Sequence, residues 1–345
     1  MLKTIFDTLL KVTDPRPKYI GSRCLVEKNA VGGCDKCMTA CPHDAVRITD
    51  HIEILEGACT GCGLCVQVCP TGALEYDLLP MLGALKDQGV RVAETPEPVA
   101  VLTCSKVPGN AAHIECLGRV SPAMILASSA WGQELQLIRS DCATCKIGGS
   151  TVPESLENVL EIARMYRKNL GGESLNVSVL EHQADEPGQS APIPTTPPKP
   201  VSRRDAFKEI FQGGKRGLAQ VVPENPIPGV VTTLEAPRIP DEWKWRKLTL
   251  KPRPLDETQQ YWPVPSVNDD CIFCPVCENV CPTKAVTRTR DSSGHYTINL
   301  EVSACTGCDA CVKSCPPSAM KLEPEVRFIQ LSETVLLHEG DGLEG

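Results

Sequence analysis

The stretch Cys59–Pro70, CTGCGLCVQVCP, returns almost unchanged at Cys305–Pro316 as CTGCDACVKSCP. Each has four cysteines at spacings of two, two and three, followed by proline. A second pair of strings, CDKCMTACPHDAV from Cys34 and CPVCENVCPTKAV from Cys274, carries the same ending. The repeat is therefore twofold within twofold, the mark of a duplicated structural unit. The chain's 20 cysteines in 345 residues fall in three zones, 24–69, 104–145 and 271–315. MLKTIFDTLLKV at the start has helically spaced apolar residues (Leu2, Ile5, Phe6, Leu9, Leu10) and no following cleavage site, so it reads as a short helix and not a signal peptide. Without an export signal the thiols are expected to meet a reducing cytoplasm, where disulfides are disfavoured and metal binding is the default use of clustered cysteines.

Zinc ribbons use paired Cys-x2-Cys units and do not need triplets ending in Cys-x3-Cys-Pro four times over. The Cys-x2-Cys-x2-Cys-x3-Cys-Pro run instead resembles the signature of the bacterial two-cluster ferredoxins, present once at each end over about 50 residues. That resemblance implies hairpins and short helices around two [4Fe–4S] clusters per module, four in all. Three thiolates on a turning loop reach one cubane, and the fourth joins the cluster of the other half-motif. In the C-terminal module this joins Cys271, Cys274 and Cys277 with Cys315, and Cys305, Cys308 and Cys311 with Cys281. In the N-terminal module it joins Cys59, Cys62 and Cys65 with Cys41. The remaining set has Cys34, Cys37 and Cys69, but Val31 stands where the pattern puts a cysteine. Cys24 is the favoured fourth ligand, with LVEKNAVGG as a loop insertion; a three-iron cluster without it is the alternative.

The middle zone alternates strands and helices. VAVLTC (99–104), LQLIRSDC (135–142) and LNVSVL (175–180) read as strands, and SPAMILASSAWG (121–132) as a helix with a Ser N-cap and Pro at its first position. PESLENVLEIARMYRKNLGG (153–172) is a second helix. This predicts a small α/β domain with a parallel sheet. Its four cysteines are Cys104, Cys116, Cys142 and Cys145. The segment Cys116-Leu117-Gly118-Arg119-Val120-Ser121-Pro122, followed by a strand ending in a cysteine pair, resembles the iron–sulfur (delta) subunit of methyl-viologen-reducing hydrogenases. That family holds a [2Fe–2S] cluster and passes electrons between subunits. This chain departs from it in having one cysteine on the first strand and a Cys-x2-Cys pair later. An iron–sulfur cluster, structural zinc, and a redox-active or buried thiol set, including a Cys142–Cys145 disulfide, all stay open. Arg119 is read as a helix-start salt bridge, with tuning of a cluster as the other reading. His43, after Cys41-Pro42, is read as a surface or supporting residue.

The expected organisation is an N-terminal helix (1–20), a two-cluster module (21–80), the α/β domain (98–182), a proline-rich linker and basic arm (183–254), a second two-cluster module (255–325) and a tail (326–345). The fold class is thus α+β ferredoxin-like modules at both ends with an α/β parallel-sheet domain between. TRTRDSSGHYTINLEVS (287–303) predicts a hairpin turning at Ser293-Gly294. Residues 201–254 hold eleven Lys or Arg against six Asp or Glu, although the chain's net charge is −8. This arm is expected to lie across the protein's own domains or to wrap another subunit. SRRDAFK (202–208) has the look of a twin-arginine signal but is internal and lacks an apolar core.

The acidic balance argues against a nucleic-acid partner, and no apolar run is long enough for a transmembrane helix. Aromatics are only 4%, and no dinucleotide fingerprint or phosphate loop is present. The reading is an electron-transfer subunit of a cytoplasmic multi-subunit oxidoreductase, with four [4Fe–4S] clusters and a [2Fe–2S] cluster or zinc in the middle. The expected partners are a separate catalytic subunit or a redox carrier protein. The alternative is a redox catalyst or sensor centred on Cys104, Cys116, Cys142 and Cys145, fed by the cubanes.

Overall fold

Every Cys-x2-Cys-x3-Cys segment folds into a loop and a helical turn of four or five residues. In the computed structural model these are α1 (Lys36–Thr39) and α2 (Leu64–Gln67) near the N-terminus, matched later by Val276–Val280 and Ala310–Lys313. The structure describes residues 15–91, 98–109, 112–168, 175–182, 238–250 and 257–341. Residues 1–14 of the expected N-terminal helix, the proline-rich linker, the SRRDAFK segment and most of the basic arm lie outside them. Residues 15–20 are not helical. Pro15 and Pro17 disfavour helical backbone in the residues before them, and β1 (Lys18–Tyr19) pairs antiparallel with β4 (Leu74–Glu75). Between these lies the hairpin β2 (Val46–Ile48) and β3 (Ile52–Ile54).

Helix α3 (Leu79–Arg91) leads into the middle sheet and buries Leu82 and Leu85. The sheet is β5 (Val99–Cys104), β6 (Ala112–Ile114), β7 (Glu134–Arg139) and β8 (Val177–Glu181), in the order β6-β5-β7-β8 and parallel throughout. Helix α4 (Pro122–Ala130) follows β6. Ser121 accepts the Met124 N–H at 3.4 Å as its cap, and the helix is apolar on all sides because it is covered on all sides. Helix α5 (Val152–Arg167) connects β7 to β8. Alternate residues of the two central strands, Ala100 and Leu102 on β5 with Leu135 and Leu137 on β7, are fully buried.

The described part of the basic arm is α6 (Asp241–Thr249), and it packs on the protein's own α4. Glu242 Oε1 accepts the Ala123 N–H at 2.9 Å, meeting a donor that the helix start leaves unpaired. Arg246 pairs with Glu242 at 2.9 Å, lies 4.6 Å from the Trp243 ring centroid and donates to the Tyr166 hydroxyl at 3.4 Å.

The C-terminal module repeats the N-terminal one in longer elements. β9 (Gln259–Val267) pairs with β12 (Met320–Arg327), as β1 does with β4. α7 (Val276–Val280) and α8 (Ala310–Lys313) hold the cysteine loops. The hairpin β10 (Val286–Arg290) and β11 (His295–Glu301) has Gly294 with a left-handed φ of 94° in its turn. Part of the segment expected to be a tail forms β13 (Thr334–Asp341), a third strand paired with β11. The module meets the middle domain where Gln260 Nε2 donates to the Tyr166 carbonyl at 3.0 Å and the Tyr166 and Trp262 rings meet edge-on at 5.8 Å. It meets the N-terminal module where the Val31 N–H donates to Ser314 Oγ at 3.0 Å.

Candidate metal centres

The structure gathers all twenty cysteines into five groups of four, and all twenty are free thiols. Cys41, Cys59, Cys62 and Cys65 line one small cavity, and Cys281, Cys305, Cys308 and Cys311 line another. Cys24, Cys34, Cys37 and Cys69 lie close enough to act on one another's charge. Burial pushes the Cys37 thiol up to about 12, and Cys69, Cys34 and Cys24 add to it. Likewise Cys277 is pushed up to about 11, first by burial and then by Cys274 and Cys271, and Cys315 acts on Cys271. The crossed arrangement is visible, with each half-motif's last cysteine beside the other half's triplet.

Cys24 reaches its group through Arg23. That side chain is buried, donates to the Gly72 carbonyl at 3.0 Å and pairs with Glu75 at 2.7 Å, which holds residues 21–24 beside the Cys69 turn. The nine intervening residues fold as successive tight turns, with Asn29, Gly32 and Gly33 left-handed. Val31, where the pattern has a cysteine, is exposed and points its N–H at Ser314.

A recurring device escaped the reading of the sequence. The third residue after each Cys-Pro cysteine (Asp44, Gly72, Lys284 and Ser318) has a positive φ between 49° and 61°. The turn swings the next N–H onto sulfur. Ala45 donates to Cys41 at 3.3 Å, Ala73 to Cys69 at 3.2 Å and Ala285 to Cys281 at 3.2 Å. The signal was present, since alanine stands four places after all four such cysteines. Phe273, between Cys271 and Cys274, is also left-handed at φ 52°. It is held by stacking on Tyr296 at 5.7 Å and on His338 of β13 at 5.2 Å.

Cys104, Cys116, Cys142 and Cys145 line a cavity at the carboxyl edge of the parallel sheet, with Gly148, Gly149 and Val152. Cys104 ends β5, and Cys142 and Cys145 follow β7. Cys116 opens the 3-10 turn Leu117–Arg119 and accepts the Gly118 N–H at 3.4 Å. Ser140 donates to Cys104 and Ile147 to Cys145, both at 3.4 Å. Burial pushes Cys116 up to about 12, and the charges of Cys62, Cys142 and Cys145 add to it. Arg119 forms no ion pair at the helix start, because the first turn of α4 carries no acid and Ser121 caps it. It crosses instead to the N-terminal module, donating Nε to the Gly61 carbonyl at 2.5 Å and lying 4.1 Å from the Tyr76 ring centroid. His43 is half-buried, and its Nε2 donates to the Ile147 carbonyl at 2.8 Å.

These groups suit iron–sulfur clusters on physical grounds. Four buried thiols resist ionising together, and a cationic iron core removes that cost. Backbone N–H groups aimed at sulfur are partners for thiolate acceptors. Among the described residues, no three or more His, Cys, Asp or Glu side chains are arranged to hold a single metal ion. Comparison with known families matches residues 24–76 and residues 270–319 each to a 4Fe-4S dicluster domain. The chain carries a 4Fe-4S dicluster domain at each end. Such domains bind iron–sulfur clusters and serve electron transfer, so redox partners are implied. Among the described residues no helix is long and apolar enough to cross a membrane.

Proposed function

We propose that the chain is an electron-transfer subunit of a larger cytoplasmic oxidoreductase, with the catalytic subunit separate. The observation that carries this reading is the complete use of the cysteines, twenty thiols in five groups of four with none left over. The sixteen outer cysteines are assigned as the ligands of four [4Fe–4S] clusters, Cys24 included. A bound cluster takes up and gives back one electron at a potential set by charge, solvent exposure and hydrogen bonds to sulfur. The protein's part is to hold thiolates, exclude water and aim N–H groups at sulfur. Ala45, Ala73 and Ala285 are assigned that last role.

Cys104, Cys116, Cys142 and Cys145 are assigned to a fifth centre, a [2Fe–2S] cluster. Zinc, which four sulfurs would hold at about 2.3 Å, is the other reading of this group. The resemblance of residues 116–122 to the hydrogenase delta subunit points to the cluster. The partners are a catalytic oxidoreductase subunit or a redox carrier protein. A reducing compartment suits a chain of free thiols.

Iron and sulfide analysis of anaerobically purified protein tests the reading. Four cubanes give about sixteen iron atoms, and about eighteen with the binuclear centre. A count near eight removes one dicluster domain from this account.

A further inference from the structure

Glycines line the seam between the N-terminal dicluster domain and the middle cysteine group. A Cβ on Gly118 would stand 2.6 Å from the Cys62 carbonyl oxygen. One on Gly148 would clash with Val152 Cγ2 and stand 2.8 Å from Cys116 Sγ and 3.6 Å from Cys62 Cβ. Neither glycine has a positive φ, and Gly148 sits at −118°. Backbone conformation therefore does not require glycine at either place; close approach does, across the seam at Gly118 and within the middle group at Gly148, where Cys62 Cβ stands at ordinary contact distance. Two side chains of the dicluster domain fasten the seam at a single atom. Thr60 Oγ1 donates to the Ile147 carbonyl at 2.6 Å, beside the 2.8 Å bond from His43. Arg119 fastens it from the other side through Gly61.

The opposite end of the middle domain faces a different group. Helix α5 starts at Val152 beside Cys116 and reaches Tyr166, which packs on Trp262, whose Nε1 donates to the Cys305 carbonyl at 3.1 Å. At 1.5 Å per residue, those fourteen steps are about 21 Å.

We propose that Gly118 is a positioning residue that brings the Cys104/Cys116/Cys142/Cys145 group against the Cys41/Cys59/Cys62/Cys65 group, making these two redox neighbours. One electron crosses between what the two groups hold, one side oxidised as the other is reduced, with no bond made or broken. The inference rests on the reading that both groups hold iron–sulfur clusters.

The test uses the full chain, reduced stepwise with dithionite, and electron paramagnetic resonance of the middle centre. The expected result is magnetic broadening of that signal as its neighbour becomes reduced. The broadening is lost in Cys59→Ala and retained in Cys308→Ala. It is also weakened in Gly118→Ala, whose added methyl group meets the Cys62 carbonyl and not the middle sulfurs, with iron and sulfide contents as in the wild type. If that variant loses iron, Arg119→Ala, which removes the seam bond to the Gly61 carbonyl, is expected to weaken the broadening in the same way. Broadening that follows Cys308 and not Cys59, or that is unchanged in these variants at full iron content, overturns the inference and leaves the five-centre reading standing. Wild-type protein with about sixteen iron atoms and no signal from the middle group overturns the reading, and the inference with it.

Discussion

Cys24 shows how a cysteine can leave its regular place in a motif and still lie with its group. The pattern asks for a cysteine at 31, yet Val31 turns outward to Ser314 and Arg23 anchors the chain ten residues before Cys34. Cys24→Ala is expected to convert the first cubane to a three-iron cluster or to lose it, leaving the other three intact. Iron analysis and electron paramagnetic resonance report this, and an unchanged spectrum and iron count exclude Cys24 as a ligand. At this scale the sequence was most legible where spacing itself is the chemistry. The crossed grouping of the outer cysteines follows from loops too short to bend back. Arg119 was misread, because nothing local says that a side chain at a helix start will reach a carbonyl 58 positions earlier. The N–H donors to sulfur were missed because they depend on a left-handed turn at residues such as Asp44 and Lys284, neither of which is glycine.

Among the elements, α6 and β13 have most to explain. Removing the Glu242 carboxylate (Glu242→Ala) leaves the Ala123 N–H and the deeply packed Arg246 without their acceptor. The expected cost is about 2 kcal/mol, read as roughly thirty-fold faster amide exchange in α4; exchange unchanged in residues 122–130 would refute it. β13 is tied to β11 partly through His295, whose pKa is raised, chiefly by its hydrogen bond to Asp341. A raised folded value favours the protonated ring. This support is fully present below the ordinary histidine pKa of about 6.5 and is lost as the pH rises through the folded value. Proton resonances of His295 should titrate above the ordinary range and move back toward it in Asp341→Asn. The middle sheet and both of its main helices could be read from periodicity and caps, as could the hairpin at Gly294. Elements such as β6, α3 and β13 could not. β6 is only three residues long, α3 contains Pro80, Gly83 and Gly89, and β13 finds its meaning only in a partner 40 residues upstream. Their tertiary burial or pairing outweighs weak local preference.

The described residues from both sides of the linker, within 15–182 and 238–341, form one compact body. The contacts that join it, Val31 with Ser314 and Tyr166 with Gln260 and Trp262, link residues 94 to 283 positions apart. Composition marks where such pieces begin and end but not which surfaces meet. Pieces 1–183 and 237–345, co-expressed as separate chains, are therefore expected to co-purify through a tag on either one; recovery of the tagged piece alone contradicts this. The stack of Phe273 on His338 adds a dimension of time. A ribosome finishes every cysteine of the N-terminal domain by residue 69, so those loops have all their cysteines while most of the protein is unmade. The loop between Cys271 and Cys274 must wait for His338, 64 places after Cys274. The order of synthesis thus staggers the two domains, the N-terminal one holding all its cysteines well before the C-terminal one has the residue on which Phe273 stacks.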